Sequence, residues 1–358
     1  MKAWMFNQAE LSLAMREVAQ PALRPGATLI RMEAAPLLSY TGDYLQGKLP
    51  YAYPPGPFTP GTNGIGRIVA VGDGVQHFHP GQRVALNPYW ITDEAVQEPA
   101  QILIGLTGIS HDSGNMLAAF PHGTLREIVD MPASTLLPLE GLDHLPAERL
   151  AVLAKFVVPF GGLRRGRLAA GETVAINGAS GYFGSAAVMA ALAMGAGKVL
   201  ALGRRAASLQ RLVELGQGRV LPIVLSGEVA ADTAAIRDAA AGGIDLAFDM
   251  VGQAIDPNST LAMLNSLRRR GRLILMGSMQ VPLPVPYGAM LLNSWELIGH
   301  FMYTPEDYLA LLSLVRSGLL SLDTVDVKTF GFSALKPAID HAAQMAGLQS
   351  TVVLFEQR

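Results

Sequence analysis

A glycine-rich segment between an apolar strand and a helix constrains the fold of this chain more than any other feature. Residues 173–177 read TVAIN, a run typical of a buried strand, and residues 185–194 are small and apolar, as in a packed helix. Gly178, Gly181 and Gly184 lie between them. Glycines there allow a tight turn and close approach of the backbone to a pyrophosphate, and the helix N-terminus presents free N–H groups to that anion. The pattern predicts dinucleotide binding; the alternative is an ordinary strand–helix turn that requires glycine for its shape.

Strands and helices alternate through the region around this loop. Short apolar runs at 198–202, 220–225, 246–248 and 272–276 are separated by helical stretches. Alternation at this spacing is typical of a parallel, doubly wound sheet with helices on both faces. We therefore expect residues 171–300 to form such a sheet.

The first part of the chain has a different character, rich in proline and glycine. Short β-like runs at 27–34, 66–71 and 83–86 lie beside turn signals such as Gly-Asp-Gly at 72–74. This spacing predicts a small, curved β-domain. Residues 87–122 follow no simple pattern and are expected to form a lobe, a lid or an interface.

The end of the second predicted strand indicates which dinucleotide is bound. An NAD site usually has an acidic residue there for the ribose 2′-hydroxyl. This chain has Gly203, Arg204 and Arg205 instead, and guanidinium groups form paired hydrogen bonds with phosphate oxygens. The sequence thus favours NADP(H) over NAD(H), although two solvated surface arginines would be an alternative explanation.

Composition excludes several classes of protein. Half of the 358 residues are hydrophobic and 16% are charged, so the chain can bury a large core. The net charge of −2 gives no broad attraction for nucleic acid or anionic membranes. There is no cysteine, which excludes disulfides and cysteine-ligated zinc. Without an apolar run of ~18 residues or a signal-peptide pattern, a cytoplasmic enzyme acting on a small molecule is expected.

Further motifs occur in an order that resembles the medium-chain dehydrogenase/reductase superfamily over nearly the whole chain. They are PGTNGIGRIV (60–69), VGDGV (71–75), PGQRV (80–84), GETV (171–174), the glycine loop, DLAFDMVG (245–252) and GRLILMG (271–277). The resemblance implies an α/β fold class: a GroES-like β-rich catalytic domain plus a Rossmann doubly wound parallel-sheet domain. The catalytic domain would span residues 1–154, completed by 301–358, and the Rossmann NADP-binding domain would span 155–300.

The same resemblance implies where the cofactor is held. The expected cofactor-binding residues lie in the glycine loop, at the ends of later strands and at the domain junction: Gly178, Ala179, Ser180, Gly181, Tyr182, Phe183, Gly184, Gly203, Arg204, Arg205, Asp249, Val251, Gly252, Met276, Gly277, Ser278 and Phe301.

Departures from the zinc-dependent members indicate a zinc-free site. Those members have Gly-His-Glu where this chain has Gly-Thr-Asn at 61–63, and their cysteine ligands fall near Leu38 or Ser39 and near Ala154. None of these side chains suits tetrahedral zinc. The chain is therefore similar to the quinone oxidoreductase-like and enoyl reductase-like branch, and no metal is expected.

Without zinc, the protein must stabilise a developing negative charge by hydrogen bonds. Tyr40 falls near the family's proton-relay position, with Thr41 as the neighbouring alternative; the other reading is a tyrosine that packs beneath the cleft. Tyr53, or its neighbour Tyr51, falls where enoyl reductases have a functional tyrosine, and an ordinary loop tyrosine is the alternative for each. Asn63 is a hydrogen-bond donor to substrate or a brace for the fold. Lys155, unusual within an apolar run, contacts cofactor or substrate, or extends to a surface.

The sequence leaves three functions open. The first is a zinc-independent, NADPH-dependent reduction of a quinone or an activated alkene. The second is an NADP-dependent alcohol dehydrogenase or carbonyl reductase without zinc. The third is a non-catalytic cofactor-binding protein. A homodimer is expected, paired through an edge formed by the apolar run 291–301.

Overall fold

The computed structural model describes residues 1–356 and divides into two units. The first unit comprises Met1–Ala154, Val325–Met345 and the residues from Gln349 onward. The second comprises Lys155–Thr324 and Ala346–Leu348. The expected division at 154/155 and 300/301 stays a prediction about domains. The two observed units differ from this division at residues 301–324 and 346–348, which group with the second unit.

Residues 1–154 form mainly short strands. The strands are β1 (Lys2–Asn7), β2 (Ser12–Glu17), β3 (Ala27–Leu37), β4 (Gly64–Val71), β5 (Arg83–Leu86), β6 (Tyr89–Ile91), β7 (Gln101–Leu103), β8 (Thr107–Gly108), β9 (Ile128–Pro132) and β10 (Leu136–Pro138). The helices are α1 (Thr41–Leu45), α2 (Gly114–Ala119) and α3 (Ala147–Ala151). The patternless stretch 87–122 thus contains the three-stranded sheet β6-β7-β8 and α2.

Residues 153–316 alternate between helix and strand. The helices are α4 (Leu153–Arg165), α5 (Tyr182–Ala193), α6 (Gln210–Leu215), α7 (Val229–Ala239), α8 (Asn258–Asn265), α9 (Tyr287–Asn293) and α10 (Pro305–Arg316). The strands are β11 (Thr173–Asn177), β12 (Lys198–Gly203), β13 (Val220–Val224), β14 (Ile244–Asp249), β15 (Gly252–Ala254), β16 (Leu267–Leu275), β17 (Ser278–Met279) and β18 (Glu296–Gly299). The chain then continues through β19 (Asp326–Gly331), α11 (Leu335–Ala342) and β20 (Gln349–Leu354).

The main sheet of the first unit includes the last strand of the chain, β20, between β3 and β19. Its order is β10-β5-β4-β3-β20-β19, with β9 also paired to β3. β20 runs antiparallel to β3, with Thr351 opposite Leu37, and parallel to β19. β20 therefore lies inside this sheet rather than at its edge. The buried residues Val352 and Val353 contribute to its core.

The sheet of the second unit is entirely parallel, with the order β13-β12-β11-β14-β16-β18. This is the order of a doubly wound Rossmann sheet, as the alternating apolar runs predicted. Its inner strands are apolar on both faces because helices cover both sides, and Val174, Ala175 and Ile176 are fully buried. The strand order reverses between β11 and β14, which places the switch point beside the glycine loop.

Two local features differ from the sequence-based expectations. The helix after the glycine loop begins at Tyr182, with Gly181 as N-cap. The run 291–301 is not one edge strand. It contains the end of α9, a left-handed turn at Ser294 and only the four-residue edge strand β18.

Residues 301–324 group with the second unit because they pack on α4. Tyr303 and Tyr308 are buried, and a Cβ at Gly161 of α4 would touch Tyr303. Arg164 of α4 also pairs with Asp307 at 3.0 Å. Among the residues described, no helix combines the length and the apolar character that crossing a membrane requires.

Candidate functional site

An open cleft lies at the carboxyl ends of the parallel strands of the second unit. It encloses about 1190 Å³, including space open to solvent. Asn177, at the end of β11, and Gly203, at the end of β12, line it together with the loops that follow β13 and β14. Ligands of doubly wound sheets bind in such a crevice at the switch point. The cleft therefore lies where the glycine loop predicts a binding site.

The glycine loop forms one wall of this cleft. Gly178, Ser180 and Gly181 line it directly. Gly178 has φ +70°, which favours glycine, and a Cβ at Gly184 would overlap the carbonyl oxygen of Gly178. Gly184 is thus required because α5 begins so close to the end of β11. The resulting surface exposes backbone at a helix N-terminus, which suits a pyrophosphate.

The two arginines after β12 have different positions. Arg204 lines the cleft next to Gly203, whereas Arg205 is outside its lining. Both side chains are exposed. One arginine, rather than two, therefore belongs to the wall near which a 2′-phosphate is expected.

Asp249 organises the loop after β14 rather than lining the cleft. Its carboxylate accepts hydrogen bonds from the Thr260 hydroxyl at 2.7 Å, the Asn177 amide at 3.2 Å and the Val251 N–H at 3.2 Å. Burial raises the pKa of Asp249 above its ordinary value, and these hydrogen bonds oppose that shift. The carboxylate thus holds Asn177 and Val251, which do line the cleft.

The predicted cofactor residues divide into two groups. Those in the cleft wall are Gly178, Ser180, Gly181, Gly203, Arg204, Val251 and Gly252. Those outside the wall are Ala179, Tyr182, Phe183, Gly184, Arg205, Asp249, Met276, Gly277, Ser278 and Phe301. Some of the second group support the first: Ser278 Oγ accepts the Gln253 N–H at 2.8 Å, and the Met276 N–H bonds to the Asp249 carbonyl at 3.1 Å. Phe301 is 51% exposed.

Sequence reasoning missed part of the wall. The missed residues lie at the end of β11, after β13, after β14 and at the start of α8: Asn177, Leu225, Ser226, Gly227, Met250, Gln253, Ala254, Ile255, Asp256, Asn258 and Ser259. The sequence offered only a general signal for these residues: the loops after all parallel strands lie at the same edge of the sheet, so any of them can line the cleft.

Lys155 lies inside the second unit and is fully buried. Its Nζ donates to the carbonyl oxygens of Tyr182 at 2.5 Å and Gly347 at 2.7 Å, and lies 3.5 Å from the centre of the Tyr182 ring. Burial lowers the pKa of Lys155 well below its ordinary value. The lysine therefore ties the start of α5 to the 346–348 segment.

A smaller, mostly apolar pocket lies within the first unit, and its volume of about 340 Å³ includes space open to solvent. Leucine and proline side chains form most of its lining, which also includes Tyr40, Thr41, Tyr44 and Thr62. A largely apolar pocket with a few polar groups is typical of a small-molecule site. The structure thus brings the predicted Tyr40 and Thr41 together here, along with Tyr44, which sequence reasoning missed.

The tyrosines around this cavity form a packed cluster. Tyr40 and Tyr51 share a side-chain hydrogen bond, and their rings meet edge to face. Tyr44 donates to the Leu106 carbonyl at 2.6 Å, and Tyr53 donates to the Tyr44 carbonyl at 2.6 Å from outside the lining. Burial raises the pKa of Tyr44 and of Tyr51, so both hydroxyls stay protonated at neutral pH.

Asn63 and Thr41 both have hydrogen bonds within the fold. Asn63 Nδ2 donates to the Leu86 carbonyl at 3.4 Å, and the residue is outside the lining of the cavity. Thr41 Oγ1 donates to the Leu38 carbonyl at 2.7 Å. These contacts favour the bracing alternative for Asn63.

The side chains at the family's zinc positions do not fit a zinc ion. Leu38 and Ala154 have no donor atom, while Ser39, Thr62 and Asn63 offer only neutral oxygens or an amide. Between residues 1 and 356, no three histidine, aspartate or glutamate side chains are close enough to hold a metal. The donor set therefore supports no metal-dependent step at this place.

Comparisons with known proteins relate both units to dehydrogenases. The profile "Alcohol dehydrogenase GroES-like domain" matches residues 24–141, and "Zinc-binding dehydrogenase" matches residues 183–317. The chain is 25% identical to a sorbitol dehydrogenase of Bacillus subtilis (strain 168), over 99% of this chain and 97% of that protein. It is 26% identical to an alcohol dehydrogenase of Geobacillus stearothermophilus, over 89% of each.

A solved structure agrees with these relatives in fold. The alcohol dehydrogenase from Thermus sp. ATN1 superposes with a TM-score of 0.79 at 24% identity, over 99% of this chain and 100% of that one. The predicted fold class, a GroES-like domain with a Rossmann sheet, is thereby confirmed.

Proposed function

We propose that this chain, which belongs to the medium-chain dehydrogenase/reductase superfamily, is an NADP(H)-dependent oxidoreductase that interconverts an alcohol and a carbonyl compound. One observation carries the proposal: the cleft at the switch point combines the glycine loop with Arg204 at the end of β12. The alcohol and sorbitol dehydrogenases among the relatives support alcohol chemistry. In this proposal the second unit binds the cofactor and the first unit binds the substrate.

The residues of the cleft fit a nicotinamide dinucleotide. Gly178 and Gly181 would let the backbone approach the pyrophosphate. The start of α5 would supply N–H groups and a partial positive charge. When bound, the cofactor supplies or accepts the hydride. The residues of the cleft would position the cofactor for this transfer.

Arg204 makes NADP(H) the preferred cofactor. A guanidinium group in the cleft wall favours a 2′-phosphate through charge-assisted hydrogen bonds, and no acidic residue stands at Gly203 to repel it. Such a contact, discounted for solvent screening, favours NADPH over NADH by about 10-fold to 100-fold.

Paired variants test this preference. Arg204→Ala should reduce NADPH affinity by about tenfold and leave NADH affinity nearly unchanged. Arg205→Ala, the matched control outside the lining, should have the smaller effect. Fluorescence titration of both cofactors measures this, and added salt should shrink the preference. Equal affinity of the wild-type protein for NADH and NADPH would contradict the proposal.

The cavity of the first unit is the proposed substrate site. Its apolar lining would hold a hydrophobic carbonyl compound, and the Tyr40 hydroxyl, within the Tyr40–Tyr51 pair, would donate to the substrate oxygen. Tyr40→Phe should lower kcat by about 10-fold to 100-fold because one donor to the developing oxyanion is lost. Tyr53→Phe is the control and should leave kcat unchanged, because the Tyr53 hydroxyl donates to the Tyr44 carbonyl and Tyr53 is outside the lining. An unchanged kcat in Tyr40→Phe would show that Tyr40 takes no part in the reaction.

Reduction of a quinone or an activated alkene is the second candidate function. It is favoured by the donor set at the family's zinc positions, which does not fit zinc. Measuring NADPH oxidation with an aldehyde, a ketone, an enone and a quinone separates the two functions. Turnover of none of them, with NADPH still bound, would favour a non-catalytic cofactor-binding protein.

No step of the proposed reaction involves zinc. Elemental analysis of the purified protein should therefore find no stoichiometric zinc, and a chelator should leave the activity unchanged. One tightly held zinc ion per chain would overturn the zinc-free proposal without affecting the proposal for cofactor binding.

A further inference from the structure

A buried arginine whose guanidinium has two atoms without hydrogen-bond partners lies in the first unit, outside the lining of the proposed substrate cavity. Arg126 is only 4% exposed, and its Nε and Nη1 atoms are buried without a partner. Burying a charged group is costly unless it is paired and hydrogen-bonded. The side chain lines an open cavity of about 850 Å³. The nearby Asp130 favours the charged form of the guanidinium but gives Nε and Nη1 no hydrogen bond. A buried guanidinium with two unpartnered atoms in a cavity wall is the arrangement expected of a ligand site rather than of a structural arginine.

The second arginine of this cavity is already neutralised. Arg24 pairs with Asp130 through a short contact and donates to the Ala119 carbonyl at 2.6 Å. Its guanidinium also lies 3.7 Å from the centre of the Phe120 ring. Arg24 and Asp130 both line the cavity, and their opposite charges cancel. The net charge of the lining is therefore the single positive charge of Arg126.

His122 contributes a hydrogen-bonding group without adding charge. Its Nδ1 accepts the Thr59 N–H at 3.1 Å, which leaves the ring hydrogen on Nε2. Burial, helped by the neighbouring Arg126, lowers the pKa of His122 to about 4, so the ring is neutral at pH 7. The charge of the site therefore remains that of Arg126.

The rest of the lining is apolar and small. Alanine, proline, valine and methionine side chains form it, among them Val18, Ala22 and Ala118. We propose that this cavity binds a small monocarboxylate with an apolar body, whose carboxylate pairs with Arg126. The planar guanidinium matches a carboxylate through two parallel hydrogen bonds, a single negative charge balances the site, and the apolar wall holds the hydrocarbon part.

This site is distinct from the proposed substrate cavity but shares its supporting backbone. Leu125 lines the substrate cavity and the next residue, Arg126, lines the anion cavity. The 59–61 segment joins the two, since Thr59 O accepts the Gly123 N–H and Gly61 O accepts the Thr124 N–H. The inference does not depend on the proposed function, because it needs neither cofactor nor turnover.

Calorimetric titration of the full-length protein with benzoate and with hexanoate tests the proposal, at constant ionic strength maintained with sodium chloride. Saturable binding is expected. Arg126→Met should weaken the affinity by at least about tenfold, as for the loss of a charge-assisted pair. Arg126→Lys keeps the positive charge but loses the planar guanidinium that forms two parallel hydrogen bonds. This variant should bind both carboxylates with intermediate affinity. Arg31→Met, which removes an exposed arginine of the same unit, should bind like the wild-type protein.

Three further measurements make the test decisive. Without ligand, Arg126→Met should have the same Tm as the wild-type protein or a higher one, because an unpaired buried charge has been removed. The double variant Arg204→Ala/Arg205→Ala should bind both carboxylates normally, which excludes binding at the cofactor cleft. Inorganic phosphate should bind more weakly than hexanoate. Undetectable binding, equal binding by Arg126→Met, or a preference for phosphate would each overturn the proposal.

Discussion

At the scale of single residues, the chain uses buried polar groups to hold backbone near its proposed sites. Lys155 is the clearest case: it is fully buried, yet its acceptors are two carbonyl oxygens and an aromatic face rather than a carboxylate. The sequence marked Lys155 as unusual because it interrupts an apolar run. The acceptors could not be predicted, since Gly347 reaches it from a distant part of the chain.

The buried lysine has a consequence for the pH dependence of stability. Because burial lowers its pKa in the folded state, the unfolded chain binds more protons between that lowered pKa and the ordinary value near 10.5. Stability should therefore rise with pH through this window. Lys155→Met should flatten the rise, whereas Lys198→Met should leave it in place. Urea unfolding at several pH values measures the slope, and an unaltered slope in Lys155→Met would show that Lys155 does not titrate there.

At the scale of elements, the strand–loop–helix unit of the cofactor cleft depends on one close approach. A Cβ at Gly184 would overlap the Gly178 carbonyl oxygen, so Gly184→Ala must displace α5 from β11. We expect a loss of NADPH affinity of tenfold or more and a destabilisation of about 1–3 kcal/mol. Gly299→Ala in β18 meets nothing within 4 Å and serves as the control. Normal NADPH binding by Gly184→Ala would show that the loop tolerates the shift.

Elements with a strong local pattern could be predicted from sequence, and those defined by distant contacts could not. The strand at 173–177 is a continuous apolar run and was predicted with its bounds. Residues 87–122 were not resolved into β6, β7, β8 and α2, because strands of two or three residues carry too little periodicity. The pocket of the first unit contains Tyr40 and Thr41, which the resemblance had singled out. Tyr44 was not singled out, because its place there depends on the hydrogen bond from its hydroxyl to the Leu106 carbonyl, a contact between distant parts of the chain.

At the scale of the whole molecule, an exposed apolar surface lies on α9, near the last strand of the parallel sheet. Tyr287, Leu291 and Leu292 of α9 are 81%, 69% and 73% exposed, and β18 forms an open edge of the parallel sheet. Exposed patches of this kind mark interaction sites. We propose a homodimer formed through this surface.

A charge introduced into the patch tests the assembly. Leu291→Glu with Leu292→Glu should give a monomer, because two carboxylates would be buried in the interface. Leu319→Glu, at an equally exposed leucine of the same unit, should leave the dimer intact. Light scattering at micromolar concentration measures the mass. A monomeric wild-type protein would contradict the proposal.

The position of β20 has a consequence for how the molecule is made. This strand lies between β3 and β19, so the first unit cannot complete its main sheet until residues 349–354 have left the ribosome. By then the second unit, whose parallel sheet is contained in a continuous segment, has already been synthesised. During translation residues 34–37 of β3, the part that β9 does not pair with, therefore keep unpaired N–H and carbonyl groups, a template for pairing with another nascent chain. Ribosome stalling before residue 349 should thus produce chains that aggregate through the first unit while the second is already folded.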